Sequence, residues 1–334
     1  MGAISFDSLI RRPEAGAFLG MVFVFVFFVI FGGKNFMSFA GAASWLNVAA
    51  NLGIIAIPIG FLMIAGELDI SIGAMVPAAS MSMGIISGYY GLPILVGVGL
   101  TLGFAALVGW INGMLVVRTN VPSLIVTLGT LFAVAGLTLF LSIILTDTTA
   151  VALKAPAWAK ALFGDFYFGS YQVIIAWWLI LTAAYVYFLH LSPWGNWLFA
   201  MGGDKESARN AGIPTNRFTI ILFILSSVSA AFVGLCQTIL FNSAQVSTGM
   251  SFIFNTIISV VIGGVLLTGG FGSVIGIFFG TLTFAMVNQG IYFTDFDRNL
   301  SSLIVGVMLL IAVLMNNTFR QMAVSYAGPK KKTA

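Results

Sequence analysis

Charge is scarce in this sequence: of 334 residues, 14 are Lys or Arg and 10 are Asp or Glu, so 7% are charged against 60% hydrophobic. A soluble domain carries about 25% charged residues, and a chain of this length needs that polar surface to meet water. The shortage excludes a soluble enzyme, a nucleic-acid-binding protein and a disordered chain. It implies an integral membrane protein with enough polypeptide for many spans. Cysteine and histidine are nearly absent too. One cysteine, Cys236, excludes an intrachain disulfide, and one histidine, His190, excludes a histidine-rich metal site. No G-x-x-x-x-G-K-[ST] loop occurs, because the only Gly-Lys pair, Gly33-Lys34, is followed by Asn35. The chain therefore does not hydrolyse ATP by itself. Gly270, Gly272 and Gly276 are spaced G-x-G-x-x-x-G with no strand before them, which is not a dinucleotide fingerprint.

What is present in quantity is long apolar runs. A spanning helix needs about 20 mostly apolar residues, so the gaps between charges divide into spans. One lies in Ala15–Gly33, longer than a signal-peptide core and followed by no clear small-x-small cleavage site. Another lies in Asn35–Gly66, two between Asp69 and Arg118, one in Pro122–Thr146 and one in Tyr171–Leu191. The uncharged stretch from Arg217 to Asp295 divides into three at 242–249 and 269–272, and Asn299–Met315 supplies the last. The expected fold is an all-α polytopic transmembrane bundle of about ten spans, one transmembrane domain over residues 1–334. An even count puts both termini on one side, and the basic tail, 320–334 with Lys330, Lys331 and Lys332, makes that side cytoplasmic. Residues 192–217 then form a cytoplasmic loop and 147–170 an outer one, while Trp158, Trp177, Trp194 and Trp197 fall near helix ends as interfacial anchors.

Glycines recur four apart at Gly16/Gly20, Gly99/Gly103, Gly109/Gly113 and along Gly272, Gly276 and Gly280. That spacing lines one helix face and lets backbones approach closely, either within the chain or at a dimer seam. The proposed span interiors hold no ionisable group of the kind that proton- or sodium-coupled carriers use. Glu67 and Asp69 stand nearest, in the turn Gly66-Glu67-Leu68-Asp69-Ile70-Ser71. Paired acids there are a solvated connector, a cap for the next helix, or a gating or docking device. Uncharged amides occur at Asn47, Asn51, Gln237, Asn242, Gln245, Asn255, Asn288 and Gln289. Amides both donate and accept, so they serve either as interhelical glue or as a lining for a neutral polyol. Asn47, Asn51, Asn255 and Asn288 are the candidates for a translocation pathway.

The cytoplasmic loop reads Gly202-Gly203-Asp204-Lys205-Glu206-Ser207-Ala208-Arg209-Asn210-Ala211-Gly212. Asp204 suits an N-cap and Gly212 a C-terminal stop, so Asp204–Ala211 is expected to form a short polar helix facing the cytoplasm.

Three segments carry a resemblance: GELDISIG at Gly66–Gly73, AMGGDKESARNAGI at Ala200–Ile213 and VIGGVLLTGGFGSVIG at Val261–Gly276. In this order they resemble the ribose-, xylose- and galactose-type permeases of bacterial ABC importers, across nearly the whole chain. The resemblance implies a multi-pass permease of the bacterial inner membrane that binds no cofactor itself. It also implies a second permease copy, a cytoplasmic ABC ATPase carrying ATP and Mg, and a periplasmic sugar-binding protein. Gly202, Gly203, Glu206, Arg209 and Gly212 match the family's ATPase-coupling segment, where Asp204 stands in place of a frequent Asn. Glu67, Asp69 and Ser71 belong to the other family motif. Charge-free, amide-bearing spans favour a neutral cargo, a sugar or sugar alcohol, over an amino acid. The alternative is a carrier or channel that works alone.

Overall fold

The computed structural model describes residues 13–119, 121–247 and 249–295, with isolated positions between 297 and 314. Its order is α1 (Pro13–Phe31), a single turn at Gly33–Phe36, α2 (Phe39–Ile64), α3 (Ile72–Met83), α4 (Ile94–Thr119), α5 (Ser123–Thr146), β1 (Ala150–Ala152) and α6 (Ala157–Phe163). Then come β2 (Phe166–Tyr167), β3 (Tyr171–Gln172), α7 (Ile174–Val186), α8 (Pro193–Gly203), α9 (Lys205–Asn210), α10 (Thr215–Phe241), β4 (Ser243–Gln245), α11 (Met250–Ile262) and α12 (Val274–Gly290). π-helical turns extend α3 to Tyr89 and α7 to Leu191.

Among the described residues, eight helices are long and apolar enough to cross a membrane, α1–α5, α7, α10 and α12. They match eight of the expected spans. The expected span between α10 and α12 is instead the 13-residue α11, about 20 Å long at 1.5 Å per residue against a hydrocarbon core of about 30 Å. The chain completes the crossing without continuous helix: glycines end α11 on both sides, and the irregular stretch after it reaches Gly270, whose N–H donates to Ile64 O at the far end of α2. Gly249 precedes it, and Gly263 and Gly264 follow, leading into an irregular loop to Ser273. The last expected span, Asn299–Met315, and the basic tail 320–334 lie outside the described residues apart from isolated positions.

Local signals explain the helix limits. Ser38 caps α2 by accepting from Gly41 N at 3.0 Å, and Ser273 caps α12 by accepting from Gly276 N at 2.9 Å. α2 is almost wholly buried and forms the centre of the bundle, packed by α7, α10, α11 and α12. α5 and α7 are mostly exposed and present apolar side chains outward, as lipid-facing helices do.

The glycine spacing is used unevenly. Gly109 and Gly113 set α4 against the backbone of α10 at Phe223, Ile224 and Ile220, and Gly276 and Gly280 set α12 against Gly263 and Ser259 of α11. Gly272 does not belong to that helical seam, because it precedes the Ser273 cap. Gly20, Gly99 and Gly103 have no such neighbour within 4 Å among the described residues.

The outer loop contains structure the sequence reading lacked. β1 pairs antiparallel with β4, Ala150 opposite Gln245 and Ala152 opposite Ser243. β2 and β3 form a hairpin, Phe166 opposite Gln172, turning through Phe168 and Gly169 with positive φ at both. The expected span from Tyr171 therefore starts at Ile174, because Tyr171 and Gln172 are drawn into strand pairing.

Candidate functional site

Two places concentrate polar side chains: the end of the bundle that carries α9, and a cavity toward the end that carries the hairpin. By the charge rule the first is the inner end and the second the outer.

At the inner end α9 spans Lys205–Asn210, as the cap residues predicted. The Asp204 carboxylate accepts from Ser207 N at 2.5 Å, and this hydrogen bond holds the carboxyl below its ordinary range. The C-terminus closes as a Schellman motif: Ile213 N donates to Ala208 O at 3.1 Å and Gly212 N to Arg209 O at 3.0 Å, with Gly212 at φ +88. Ala208 is buried beneath, while Glu206, Ser207, Arg209 and Asn210 face outward. Arg209 also donates to Asn216 Oδ1 at 2.9 Å, which ties α9 to the first turn of α10.

Two further contacts bind α9 to the transmembrane core. Lys205 Nζ meets Glu67 Oε1 at 2.6 Å. Gly202 lies so close to the end of α2 that a Cβ would strike the Ile64 carbonyl oxygen, and that same oxygen accepts from Gly270 N at 2.8 Å. The C-terminal end of α8, the end of α2 and the glycine loop before α12 thus meet backbone to backbone. Gly203 has open space around it.

Asp69 is not a solvated connector, because it is 0% exposed. The turn from Gly66 to Ser71 is folded into the bundle, where the hydroxyls of Ser123 and Thr127 on α5 accept from the backbone N–H groups of Leu68 and Ile70. Asp69 Oδ1 accepts from Ser71 N at 2.9 Å and from Ser71 Oγ at 2.5 Å, and Oδ2 accepts from Ser226 Oγ at 2.7 Å. Asn112 Nδ2 donates to Ser71 Oγ at 3.0 Å and Thr130 Oγ1 donates to Asn112 Oδ1 at 2.6 Å, so one chain of bonds joins α3, α4, α5 and α10. The capping reading survives in part, since Asp69 holds the start of α3. Burial pushes its carboxyl above the ordinary range, and the serine hydrogen bonds oppose that rise.

The cavity, about 180 Å³, is lined by Asn47, Asn51, Gln172, Gln237, Ser251 and Asn255 together with Val48, Leu52 and Phe252. It therefore brings together Asn47, Asn51 and Asn255 but not Asn288, which instead accepts from Gln289 Nε2 at 2.9 Å. Asn47 is turned to the hairpin: its Nδ2 donates to Ser170 O and its Oδ1 accepts from Gln172 N, both at 2.9 Å. Asn51 Nδ2 donates to Gln172 Oε1 at 3.1 Å and Asn51 Oδ1 accepts from Gln237 Nε2 at 3.2 Å. Gln172 was missed because it sat at the expected edge of a span, and Ser251 because nothing in the run of apolar residues marks where α11 begins. The lining carries amides, one hydroxyl and apolar walls, with no charged side chain. Among the described residues no group of acidic, cysteine and histidine side chains could hold a metal ion.

A bundle of apolar helices around a buried central one, enclosing an uncharged amide-lined cavity and presenting a capped polar helix at one end, defines a polytopic membrane permease. The chain belongs to the family described as the permease component of the branched-chain amino acid transport system, which it matches over residues 41–313. It is 31% identical over 317 residues to the fructose import permease protein of Rhizobium meliloti, covering 93% of this chain and 87% of that protein. It is 30% identical over 263 residues to the autoinducer 2 import system permease protein of Photorhabdus temperata, 79% of each chain. The Escherichia coli K12 protein of the same name is 29% identical over the same length. No solved structure matches the chain. The protein is thus a multi-pass inner-membrane permease of the ABC-importer class and not an enzyme. The resemblance holds at the level of that class and not of the narrower ribose, xylose and galactose group.

Proposed function

We propose that this chain is the membrane subunit of an ATP-driven, binding-protein-dependent importer that moves a sugar or sugar alcohol across the bacterial inner membrane. The observation that carries the reading is the inner junction. α9 is capped at both ends, exposes Glu206, Ser207, Arg209 and Asn210, and is tied to the core through Lys205–Glu67 and Gly202–Ile64. In this reading a cytoplasmic ABC ATPase, which carries the ATP and Mg, grips Gly203, Asp204, Glu206, Arg209 and Gly212. Its closure pushes α9, and the junction passes the displacement to α2 and to the glycine loop before α12, biasing the bundle between inward-open and outward-open states. A second permease copy completes the membrane domain, and a periplasmic sugar-binding protein delivers the cargo at the outer face, where residues 147–170 lie. No nucleic acid is involved.

The cavity supports this cargo class. The family description names amino acid transport, whereas the relatives' names are those of fructose and autoinducer 2 systems. A lining without charge gives an amino acid's ammonium and carboxylate no counter-charge in a low-dielectric interior, while amides suit hydroxyls. Asn51 and Asn255 are assigned to the pathway, with Asn47 at its edge. Asn288, outside the cavity, has no support for that role.

Co-purification tests the reading: the wild-type chain and a variant with Asp204–Arg209 replaced by a Gly-Ser linker are each solubilised with their candidate ATPase. The ATPase is expected with the wild type alone. Its absence from both, with unaided sugar flux through the chain in liposomes, would establish a solitary carrier or channel instead.

A further inference from the structure

The amide chain in the cavity has a direction. Gln237 Nε2 donates to Asn51 Oδ1, and Asn51 Nδ2 donates onward to Gln172 Oε1 and to the Asn47 carbonyl at 2.8 Å. Both Asn51 protons are thereby used. What is left at the two ends of the chain is one acceptor, Gln237 Oε1, and one donor group, Gln172 Nε2, neither with a partner among the described residues. The side chain of Asn255 on α11 lines the same space and likewise has none.

We propose that Gln172, Gln237 and Asn255 form a cargo-binding site for a neutral molecule with neighbouring hydroxyls, with Asn51 and Asn47 as positioning residues. The inference rests on the importer reading and gives its cargo a place. A hydroxyl donates and accepts at once, so a vicinal diol answers the acceptor of Gln237 and the donor of Gln172 together. A carboxylate finds no cation in the lining and an ammonium no anion. Val48, Leu52 and Phe252 offer an apolar wall to the C–H face of a sugar ring. Asn51 fixes which way each glutamine amide points, because reversing Gln172 would set donor against donor and reversing Gln237 acceptor against acceptor. Asn47, bonded to Ser170 and to the Gln172 backbone, holds the hairpin base so that Gln172 reaches the cavity.

The test uses the full chain with its ATPase in liposomes, carrying Cys236→Ala to remove the native thiol and, as reporter, Ser251→Cys at a lining position outside the proposed binding set. The rate of modification by a small methanethiosulfonate is measured with D-fructose, D-ribose or D-mannitol, and with leucine or gluconate as charged controls. At least one polyol is expected to slow modification about tenfold, as a few hydrogen bonds worth roughly 1.4 kcal/mol imply, and the controls to leave it unchanged. Gln172→Leu and Gln237→Leu should each abolish the protection, with Gln237→Asn as the variant that keeps the amide should the leucine form fail to fold. Modification unaffected by every polyol, or slowed most by leucine or gluconate, overturns the site. Retention of the ATPase separates the two ideas: no protection by any polyol with the ATPase retained overturns the site alone, and an ATPase that is not retained, with unaided sugar flux, overturns the importer reading.

Discussion

Asp69 is a carboxylate with no cation beside it among the described residues, held by Ser71 and Ser226 in the interior of the bundle. Such a group is costly to strip of its acceptors, because the hydroxyl and N–H donors aimed at it are left unpaired. Asp69→Ala is expected to destabilise the protein by about 2–3 kcal/mol, read as a lowered thermal unfolding midpoint in detergent. Asp69→Asn keeps an oxygen for Ser71 and should lose less than half of that. If both behave alike, the hydrogen bonds are not what matters at this position. The Glu67–Lys205 pair works differently. It is partly exposed, so its contribution to stability is small, but it joins α9 to the end of the buried turn. On the importer reading proposed above, Glu67→Lys and Lys205→Glu should each lower the sugar uptake obtained per ATP hydrolysed, and the double exchange should recover most of it. Failure of the double variant to recover, with both singles impaired, would show that the residues act separately.

Helix seams give the next scale its tests. Gly280 lies against the Ser259 carbonyl and the Gly263 backbone of α11, so a larger side chain forces α11 and α12 apart. Gly280→Leu should lower the unfolding midpoint and the yield of monodisperse protein by an amount typical of overpacking, about 1–3 kcal/mol. Gly103 on α4 has nothing within 4 Å, and Gly103→Leu should leave the isolated chain as stable as the wild type. Equal loss from the two substitutions would contradict the seam. α11 itself illustrates why the elements were only partly readable. Its residues are apolar enough for a span, and hydropathy records composition without recording where hydrogen bonding stops. The glycines at 263, 264, 269, 270 and 272 turn the chain irregular, and the backbone groups left over are accommodated against Ile64 and Gly202 inside the protein.

For the whole molecule, sidedness follows from charge: Arg118, Lys205, Arg209 and Arg217 fall at the end that carries α9, while Lys154 and Lys160 fall at the other. A reporter fused after Lys332 is therefore expected in the cytoplasm, and one inserted at Phe168, 88% exposed at the hairpin tip, outside. Both can be read from the activity of a compartment-dependent reporter enzyme. A reporter after Lys332 found outside would make the number of crossings odd and displace every later loop. The same geometry sets the two functional regions apart along α2: Asn47 in its outer half and Asn51 at its middle, Ile64 and the α9 junction at its inner end. A displacement of α9 thus has one buried helix through which to reach the cavity.

The sequence by itself determined the class of protein, eight of the spanning helices, the sidedness rule and the short helix α9 with its two caps. These follow from quantities local to the chain: scarcity of charge, lengths of apolar runs, and cap residues a few positions apart. The grouping of Asn47, Asn51 and Asn255 was legible as a set of amides, but not as one wall, and Asn288 was indistinguishable from them. Only the tertiary structure decided that Gln172 and Gln237 complete the chain, since residues 51, 172 and 237 meet through the packing of α2, β3 and α10. It also decided that Asp69 lies inside the bundle, that Glu67 reaches Lys205, and that Gly202 and Gly270 meet at Ile64. Each joins residues distant in sequence, and no local pattern encodes such a contact, because it is set by how whole helices pack against one another.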